Sequence, residues 1–467
     1  YCPDGHVTVD REDPLKCAEC GATDLRQDDD VLDTWFSSGL WPLSTLGWPD
    51  ETEDLADFYP TSVLVTGYDI IFFWVARMLM FGVHFQPPAP FDVVAIHGMV
   101  RDAQGKKMSK SFGNVIDPLE LMDRYGTDAL RFALIRGANP GADVPLAEEW
   151  VEGARNFANK LWNLARFVLS AEPEGAEAPG EPGASRTQDG AALADRWLAS
   201  RLERTRAAAT AAYQAYDPAE AARLLFAFAW SELADWAVEL AKPRLAAGGE
   251  DARRAWAALA GALDATLRLL HPVMPFVTEE LGRALTGVST ITLGPWPAAR
   301  PGEVDEAAEA DMAALQEVIA AVRRFRAEHR VPSARRPRLT IVPASAAQAE
   351  LLLAEAESVR RLARLESVEV APADRSTGAP GPSAKVLAAG AELFLPLGGL
   401  LDLDEERDRL RRELATLGQE RARAEGKLAN PAFVSKAPVD VVGKARARLA
   451  EVEEAVAKVQ AQLAELG

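Results

Sequence analysis

The hydrophobic positions change their period several times along the chain, and each change predicts a different kind of structure. Residues 1–30 are polar and rich in turn formers. From 31 to 100 short apolar runs alternate with Gly and Pro, the pattern of an α/β unit. Within it Val63–Thr66 and Val93–Ile96 read as short buried strands, and Asp69–Phe81 between them reads as a helix. Thr127–Arg136 follows a helical period, and from Leu146 to about Leu285 one helix follows another, rich in Ala, Leu and Arg, which predicts a helical bundle. Glu172–Gly183 has almost no large apolar side chain, cannot bury enough surface to order itself, and reads as an exposed loop inserted in that bundle.

After Pro297 the pattern is mixed. An amphipathic helix is expected over about Val304–His329, a strand near Leu339–Val342, a helix near Gln348–Leu365, and strands near Val368–Val370 and Glu392–Pro396, with Pro372–Ser383 as a Gly/Pro loop. From Leu401 the period changes again. Leu403, Leu410, Leu414, Leu417, Ala424 and Leu428 share one helical stripe, which Asn430-Pro431 and Pro438 interrupt. A second stripe runs through Leu449, Val452, Val456, Val459, Leu463 and Leu466. Alternating spacings of three and four make the seam of a coiled coil, and one turn between two arms makes an antiparallel hairpin.

Composition narrows the class. The 467 residues suffice for about three domains, and 48% hydrophobic with 26% charged residues is ordinary for a globular protein. No stretch is expected to reach the ~20 apolar residues of a membrane span, because Arg77 and Gly82 break the longest run near Ile70–Val83. The three cysteines, Cys2, Cys17 and Cys20, crowd into the start of the chain, which is not a disulfide framework and points to a reducing cytoplasm. The formal charge of −19 counts against a nucleic-acid partner only if charge is evenly spread. Two basic concentrations contradict an even spread. Arg323, Arg324, Arg326, Arg330, Arg335, Arg336 and Arg338 share a stretch with one acid, Glu328, and Arg421, Arg423, Lys427, Lys436, Lys444, Arg446 and Arg448 cluster at the hairpin tip with Glu425 and Asp440. Charge runs are commonly solvated faces, and on the residues alone both clusters read so.

The strongest chemical feature is Gly105-Lys106-Lys107-Met108-Ser109-Lys110-Ser111-Phe112-Gly113. Ammonium groups stabilise charge that builds on transferred and leaving phosphates, and flanking glycines let such a loop move over them. An isolated Lys/Ser cluster is more often a plain basic loop. Here Lys107–Ser111 is identical to the five-residue motif that closes over ATP in class I aminoacyl-tRNA synthetases. Asp30–Gly39, then Gly67–Trp74, then His97-Gly98 resemble further segments of the valine, isoleucine and leucine branch, in the order found there. Phe72–Met78 with Thr34–Ser38 is most similar to the valine members. Isoleucine members place Gln-His-Arg-Gly before the same tryptophan, and Ile70 stands where that glutamine would be.

The resemblance implies a Rossmann-type partial catalytic α/β domain (31–145, after a zinc-ribbon-like segment at 1–30), an all-α anticodon-binding helical bundle (146–300), a small α+β segment (301–400) and a coiled-coil tRNA-binding arm (401–467). It also implies ATP-dependent activation of valine to valyl-adenylate with Mg²⁺, and transfer to tRNA-Val. Residue by residue, Trp35, Ile70 and Trp74 would wall the valine pocket, and Gly67 and Asp69 would meet the ribose of ATP. His97 and Gly98 would border the adenine, Lys107 and Lys110 would bind phosphates with Ser109 and Ser111 beside them, and Met108 would lie against the nucleotide. Two indoles and a β-branched side chain form an apolar slot suited to an isopropyl group. One methylene is worth only ~1–3 kcal/mol of discrimination and an isosteric hydroxyl is hard to reject, so editing against threonine is expected. Other tryptophans (Trp41, Trp48, Trp150, Trp162, Trp197, Trp230, Trp236 and Trp256) are expected in the core.

Cys2, His6, Cys17 and Cys20 form either a zinc ribbon or a metal-free remnant of one. Cys17-x2-Cys20 is a good knuckle, whereas Gly5 stands where a second cysteine belongs in the first pair. The resemblance further implies that the arm leans its basic tip on the outer corner of the tRNA, that the bundle beginning at Asn156–Asn163 binds the anticodon, and that the molecule is a monomer without membrane contact. Tyr1 falls inside the ribbon, so the chain reads as part of something longer. The first half of the nucleotide fold, with its His-containing ATP motif, and the editing domain would precede it, and these residues alone are expected to be inactive. Two other readings stay open: an isoleucine enzyme, and a non-catalytic tRNA-binding module derived from a synthetase.

Overall fold

The computed structural model describes residues 1–139, 141–176, 191–372, 383–396, 403–430 and 439–465. The chain divides into two compact units: Tyr1–Lys160 with Ala208–Phe226 and Leu270–Glu280, and Leu161–Ala207 with Ala227–Leu269 and Leu281–Gly467.

The first unit holds three short helices, α1 (Thr34–Gly39), α2 (Trp41–Ser44) and α3 (Glu53–Phe58), then β1 (Thr61–Gly67), α4 (Ala76–Phe85) and β2 (Phe91–His97). β1 and β2 run parallel with Gly67 opposite His97. The strands extend two residues or so beyond the apolar runs that predict them, because backbone pairing continues past the last buried side chain. The connection expected as one helix is three pieces: a 3₁₀ turn at Tyr68–Ile70, a π turn at Ile71–Val75, then α4. Leu64, Val75, Met78 and Phe91 form one buried cluster of this unit, with Trp74 and Val94 packed on it.

One expectation is corrected here. Among the described residues Tyr68–Phe85 is long and apolar enough to cross a membrane, with a mean hydropathy of 1.3 over 18 residues. Its inner side nevertheless closes on the β1–β2 core and its Arg77 lies 3.8 Å from Asp33, so its place is that of the crossover helix of an α/β unit. Beyond β2, the short parallel pair β3 (Val100–Arg101) and β4 (Val144–Pro145) encloses the lysine loop and helices α5 (Pro118–Tyr125) and α6 (Thr127–Gly137). Asp128, buried at the start of α6, accepts from the Phe276 and Val277 backbone amides and caps the helix that begins there.

Six longer helices follow: α7 (Glu148–Ser170), α8 (Leu193–Gln214), α9 (Pro218–Ala227), α10 (Val238–Ala247), α11 (Gly249–Leu270) and α12 (Pro275–Thr286). Their buried faces carry Phe157, Leu161, Trp197, Leu225, Trp256, Leu263 and Leu267. Trp256 donates its indole N–H to the Val168 carbonyl at 2.9 Å, which satisfies the only polar atom of a side chain inserted into an apolar layer. Trp197 and Trp256 are core as expected, whereas Trp41, Trp150 and Trp162 are nearly half exposed. Most of the expected loop Glu172–Gly183 lies outside the described residues.

The α+β segment contains α13 (Glu306–Glu328), β5 (Arg338–Val342), α14 (Ala346–Ala354), α15 (Ala356–Leu362), β6 (Ser367–Val370), β7 (Ser383–Ala388) and β8 (Ala391–Pro396). The strands form one sheet in the order β6-β5-β8-β7. Two details depart from the pattern reading. The helix expected over Gln348–Leu365 is broken at Glu355, and β7 has no counterpart in it. β7 has a blurred alternation (Ser383, Lys385 and Leu387 on one face) and is held as a strand by its hairpin with β8 across Ala389-Gly390, both at positive φ. The rest of the expected loop Pro372–Ser383 lies outside the described residues.

The last two helices are α16 (Leu403–Ala429) and α17 (Val439–Glu465). Leu410, Val442, Val452, Val456 and Val459 are buried, and Arg448 of α17 meets Glu420 of α16 at 3.0 Å. The connecting residues, including the expected breakers Pro431 and Pro438 and the basic Lys436, lie outside the described residues.

Candidate active site

The site is built where parallel strands end. Open α/β sheets bind ligands beyond the carboxyl ends of their strands, since backbone and side chains there point into a crevice that the helices leave open. Gly67 ends β1 and His97 ends β2, side by side. A Cβ on Gly67 would lie 2.7 Å from the Asp69 carboxylate, 3.5 Å from the Met99 sulfur and 3.7 Å from the His97 ring, so these four residues meet at one point and a side chain at 67 would fill it. His97 is exposed, its Nδ1 2.8 Å from the Gly98 carbonyl oxygen. Gly98 presses on the chain at 142–143 so closely that a Cβ would occupy the space of the Ala142 carbonyl.

Beside this point Trp35, Ser38, Trp41, Ile70 and Trp74 line an open cavity of about 280 Å³. α1 is started by Asp33, whose carboxylate accepts from the Trp35 amide at 2.9 Å, and it brings Trp35 to the mouth. Trp74 lies in the π turn, where the extra residue per turn swings its indole toward α1. There it donates to the Ser38 carbonyl at 3.0 Å and packs at a tilt on Trp41, with ring centroids 5.8 Å apart. Thus Trp35, Ile70 and Trp74 share one cavity, and Trp41, read from the sequence as core, joins them. A tryptophan two residues beyond Gly39, at the start of the next helix, is the sign that was available.

The lysine loop is held by groups that carry no mark in the sequence. Asp102, buried, accepts from the backbone amides of Lys106 at 2.7 Å and Gln104 at 3.1 Å, and from the Asn114 amide at 2.8 Å. Asn114 also donates to the Lys107 carbonyl at 3.2 Å, and its own carbonyl accepts from the Ser109 amide at 3.0 Å. One carboxylate and one carboxamide therefore clamp both ends of the lysine segment. The Asn114 amide and then the Lys106 N–H hold the Asp102 carboxyl below the usual carboxylate range. Lys106 and Lys107 are left exposed, Met108 and Ser109 are half-buried, and Ser111 is exposed. Lys110 begins a 3₁₀ turn to Phe112, while its side chain lies outside the described part. Among the described residues no hydrogen bond or ion pair joins the loop to the tryptophan cavity.

A second unmarked residue ties β3 and β4 to the residue that follows the end of β1. Asp143 accepts from the Met99 amide at 2.8 Å, from Arg101 and from the Tyr68 hydroxyl at 3.1 Å. The Met99 amide, then Arg101, depress its carboxyl, a charge-assisted network that fixes β3 against β4.

At the start of the chain the Cys2, His6, Cys17 and Cys20 ligand atoms lie within 4.8 Å of one another. Cys20 Sγ is 3.7 Å from Cys2 Sγ, close to the ~3.8 Å edge of a tetrahedron with ~2.3 Å metal–sulfur bonds. Gly5, at φ +82°, makes the turn that returns His6 to Cys2, and Glu19 stands 3.8 Å from the other His6 nitrogen. Backbone amides of Cys20 and Glu19 lower the Cys17 thiol to about 6.

Comparison with known proteins agrees with this architecture. The family model of class I tRNA synthetases (I, L, M and V) matches residues 5–147, that of the anticodon-binding domain of tRNA ligases matches 195–341, and that of the valyl tRNA synthetase tRNA binding arm matches 402–467. The LeuRS of Agrobacterium radiobacter K84, solved in a ternary complex with tRNA and LeuAMS, has a similar fold over 62% of this chain and 35% of its own (TM-score 0.51, 22% identity). The fold is therefore that of the class I tRNA synthetases. The Streptomyces avermitilis valine–tRNA ligase is 49% identical over 99% of this chain and 51% of its own length, and that of Thermus thermophilus is 46% identical over 100% and 52%. The chain belongs to the valine–tRNA ligase family, and it spans about half the length of the curated relatives it matches.

Proposed function

We propose that this chain takes part in forming valyl-adenylate from valine and ATP, with Mg²⁺ on the phosphates, and in passing the valyl group to tRNA-Val. The carrying observation is the juxtaposition of a tryptophan-lined cavity with two parallel strand ends, Gly67 and His97. Trp35, Ile70 and Trp74 bind the isopropyl group, with Trp41 as an additional wall. Gly67 leaves room for the ribose, Asp69 accepts from its hydroxyls, and His97 and Gly98 border the adenine. Met108 lies along the nucleotide. Lys107 and Lys110, assisted by Ser109 and Ser111, stabilise charge as a valine carboxylate oxygen attacks the α-phosphorus and the bond to the leaving pyrophosphate breaks.

The Cys2, His6, Cys17 and Cys20 set holds zinc, supported by the tetrahedral edge between its sulfurs and by Glu19 as an outer partner of His6. α16 and α17 form an antiparallel coiled-coil arm that leans on the tRNA. Its cations are fewer than the sequence suggests, since Arg448 is engaged by Glu420 and Glu451 and Arg421 by Glu425, leaving Arg423, Lys444 and Arg446 for phosphates. Of the domain limits, 1–30, 31–145, 146–300, 301–400 and 401–467 remain our division by role. A monomer in the cytoplasm completes this reading, the compartment being in keeping with three free cysteines.

The test is pyrophosphate exchange by this chain joined to the remaining half of a valine–tRNA ligase. Valine-dependent exchange, faster than with isoleucine and reduced at least tenfold by Lys107→Ala, is expected, whereas the 467 residues alone should give none. Preference for isoleucine, or no exchange with either amino acid, refutes the reading.

A further inference from the structure

The walls of the tryptophan cavity come from two separate segments. Trp35 and Ser38 belong to α1 and Trp41 to the start of α2, whereas Ile70 and Trp74 lie in the 3₁₀ and π turns that lead into α4. The width of the cavity is therefore the separation of α1 from the turns and α4. Two polar contacts span that separation: Trp74 donates to the Ser38 carbonyl at 3.0 Å, and Arg77 of α4 lies 3.8 Å from Asp33, the cap of α1.

The third contact is steric. Gly39, the last residue of α1, is buried and is not one of the cavity walls. A Cβ there would lie 2.7 Å and 2.9 Å from two carbons of the Phe81 ring and 3.2 Å from the Arg77 Cβ, both on α4. Carbon atoms pack at about 3.5–4.0 Å, so a methyl at 39 fits only if α1 and α4 part or the ring gives way. The ring has little freedom to yield, since Phe36 of α1 meets it edge-on with centroids 5.2 Å apart and Phe85 packs on it at 6.0 Å. The Arg77 Cβ is fixed to the helix backbone and cannot turn aside. The two segments thus approach here as only glycine permits.

We infer that Gly39 sets the width of the valine slot from outside it and is a specificity-determining residue of this chain. An apolar slot separates aliphatic side chains by size, and one methylene changes the rate by about 10-fold to 200-fold only if the walls stay in place. The absent side chain at 39 lets α1 close on α4, which holds Trp35, Ser38 and Trp41 near Ile70 and Trp74 and leaves no room for the longer isoleucine. Gly39 touches no substrate and acts through those walls, so it is a positioning residue. The inference rests on the assignment of this cavity to valine made above.

Pyrophosphate exchange by the joined ligase, measured as kcat/KM for valine and for isoleucine, reads the width directly. Gly39→Ala is expected to lower the valine-to-isoleucine ratio by about tenfold or more. Gly82→Ala is the control for general damage: its Cβ meets the Pro90 ring at 2.7 Å, equally crowded but at the other end of α4 from Trp74. It should lower the melting temperature and keep the ratio within about twofold of the parent. Phe81→Ala removes the ring that the methyl meets, so Gly39→Ala added to Phe81→Ala should change the ratio by no more than about threefold. If Gly39→Ala does not fold, Phe81→Trp takes its place, because it enlarges the same contact from a half-buried position and should lower the ratio likewise. A folded Gly39→Ala enzyme with the parental ratio, an equal loss for both amino acids, or an equal change of ratio in Gly82→Ala overturns the inference. A parent enzyme that exchanges with neither amino acid, or prefers isoleucine, instead refutes the valine assignment itself, and this inference with it.

Discussion

The Asp102–Asn114 clamp invites the sharpest perturbation, Asn114→Ala. It deletes three hydrogen bonds at once: to the Asp102 carboxylate at 2.8 Å, to the Lys107 carbonyl at 3.2 Å and from the Ser109 amide at 3.0 Å. Neutral hydrogen bonds are worth about 1 kcal/mol net and one to a carboxylate about 1.5–3 kcal/mol. Their full sum overstates the effect, because Asn114 is half-exposed and water replaces part of what is lost. About 2–3 kcal/mol of preference for the held conformation is the expected loss, which corresponds to a share of correctly placed loop smaller by about 30-fold to 160-fold. Two assays read it. Trypsin should cut after Lys106 and Lys107 faster in the variant chain, since both are exposed and the clamp helps to order their backbone. Pyrophosphate exchange by the joined ligase should fall by a factor of the same order, with melting temperature nearly unchanged. An exchange rate within about twofold of the parent, together with unaltered cleavage, would refute the idea that this clamp positions the loop.

Three further outcomes are expected. Gly98→Ala should abolish or severely destabilise folding of the α/β unit, because the added carbon meets the Ala142 backbone carbonyl, whereas Gly105→Ala, at φ +77° in open space, should cost only about 1 kcal/mol; circular-dichroism melts compare them. Asp143 has a depressed carboxyl, so its contribution is present above the unfolded value of about 3.9 and is lost as pH falls through the lower folded value; Asp143→Asn should weaken the protein near neutrality and flatten the acid limb of its pH–stability curve. Metal analysis should find one zinc per chain, and Cys17→Ser or a chelator should remove it and expose residues 1–30 to proteolysis.

Much of this protein is written locally. The lysine loop is legible because charge and glycine spacing are properties of neighbouring residues, and the strands, the bundle and the two closing helices because buried faces repeat at a fixed period. The resemblance of Thr34–Ser38, Gly67–Trp74 and His97-Gly98 to one enzyme family named the cavity walls before their geometry was known. What pattern left undetermined depends on contacts between distant residues. Asp143 and Asp102 look like surface acids until Met99, Arg101 and Tyr68 close on one and Asn114 on the other. Trp41 reads as core because tryptophan usually is, and only the π turn that aims Trp74 at it makes both of them walls of one cavity. β7 is a strand because β8 pairs with it, and Arg364 becomes part of a charged cavity because α13 ends where α15 ends. Periodicity reports which side of an element is buried, but a hydrogen bond or a like-charge cluster needs both partners in place, and only the folded chain supplies the second one.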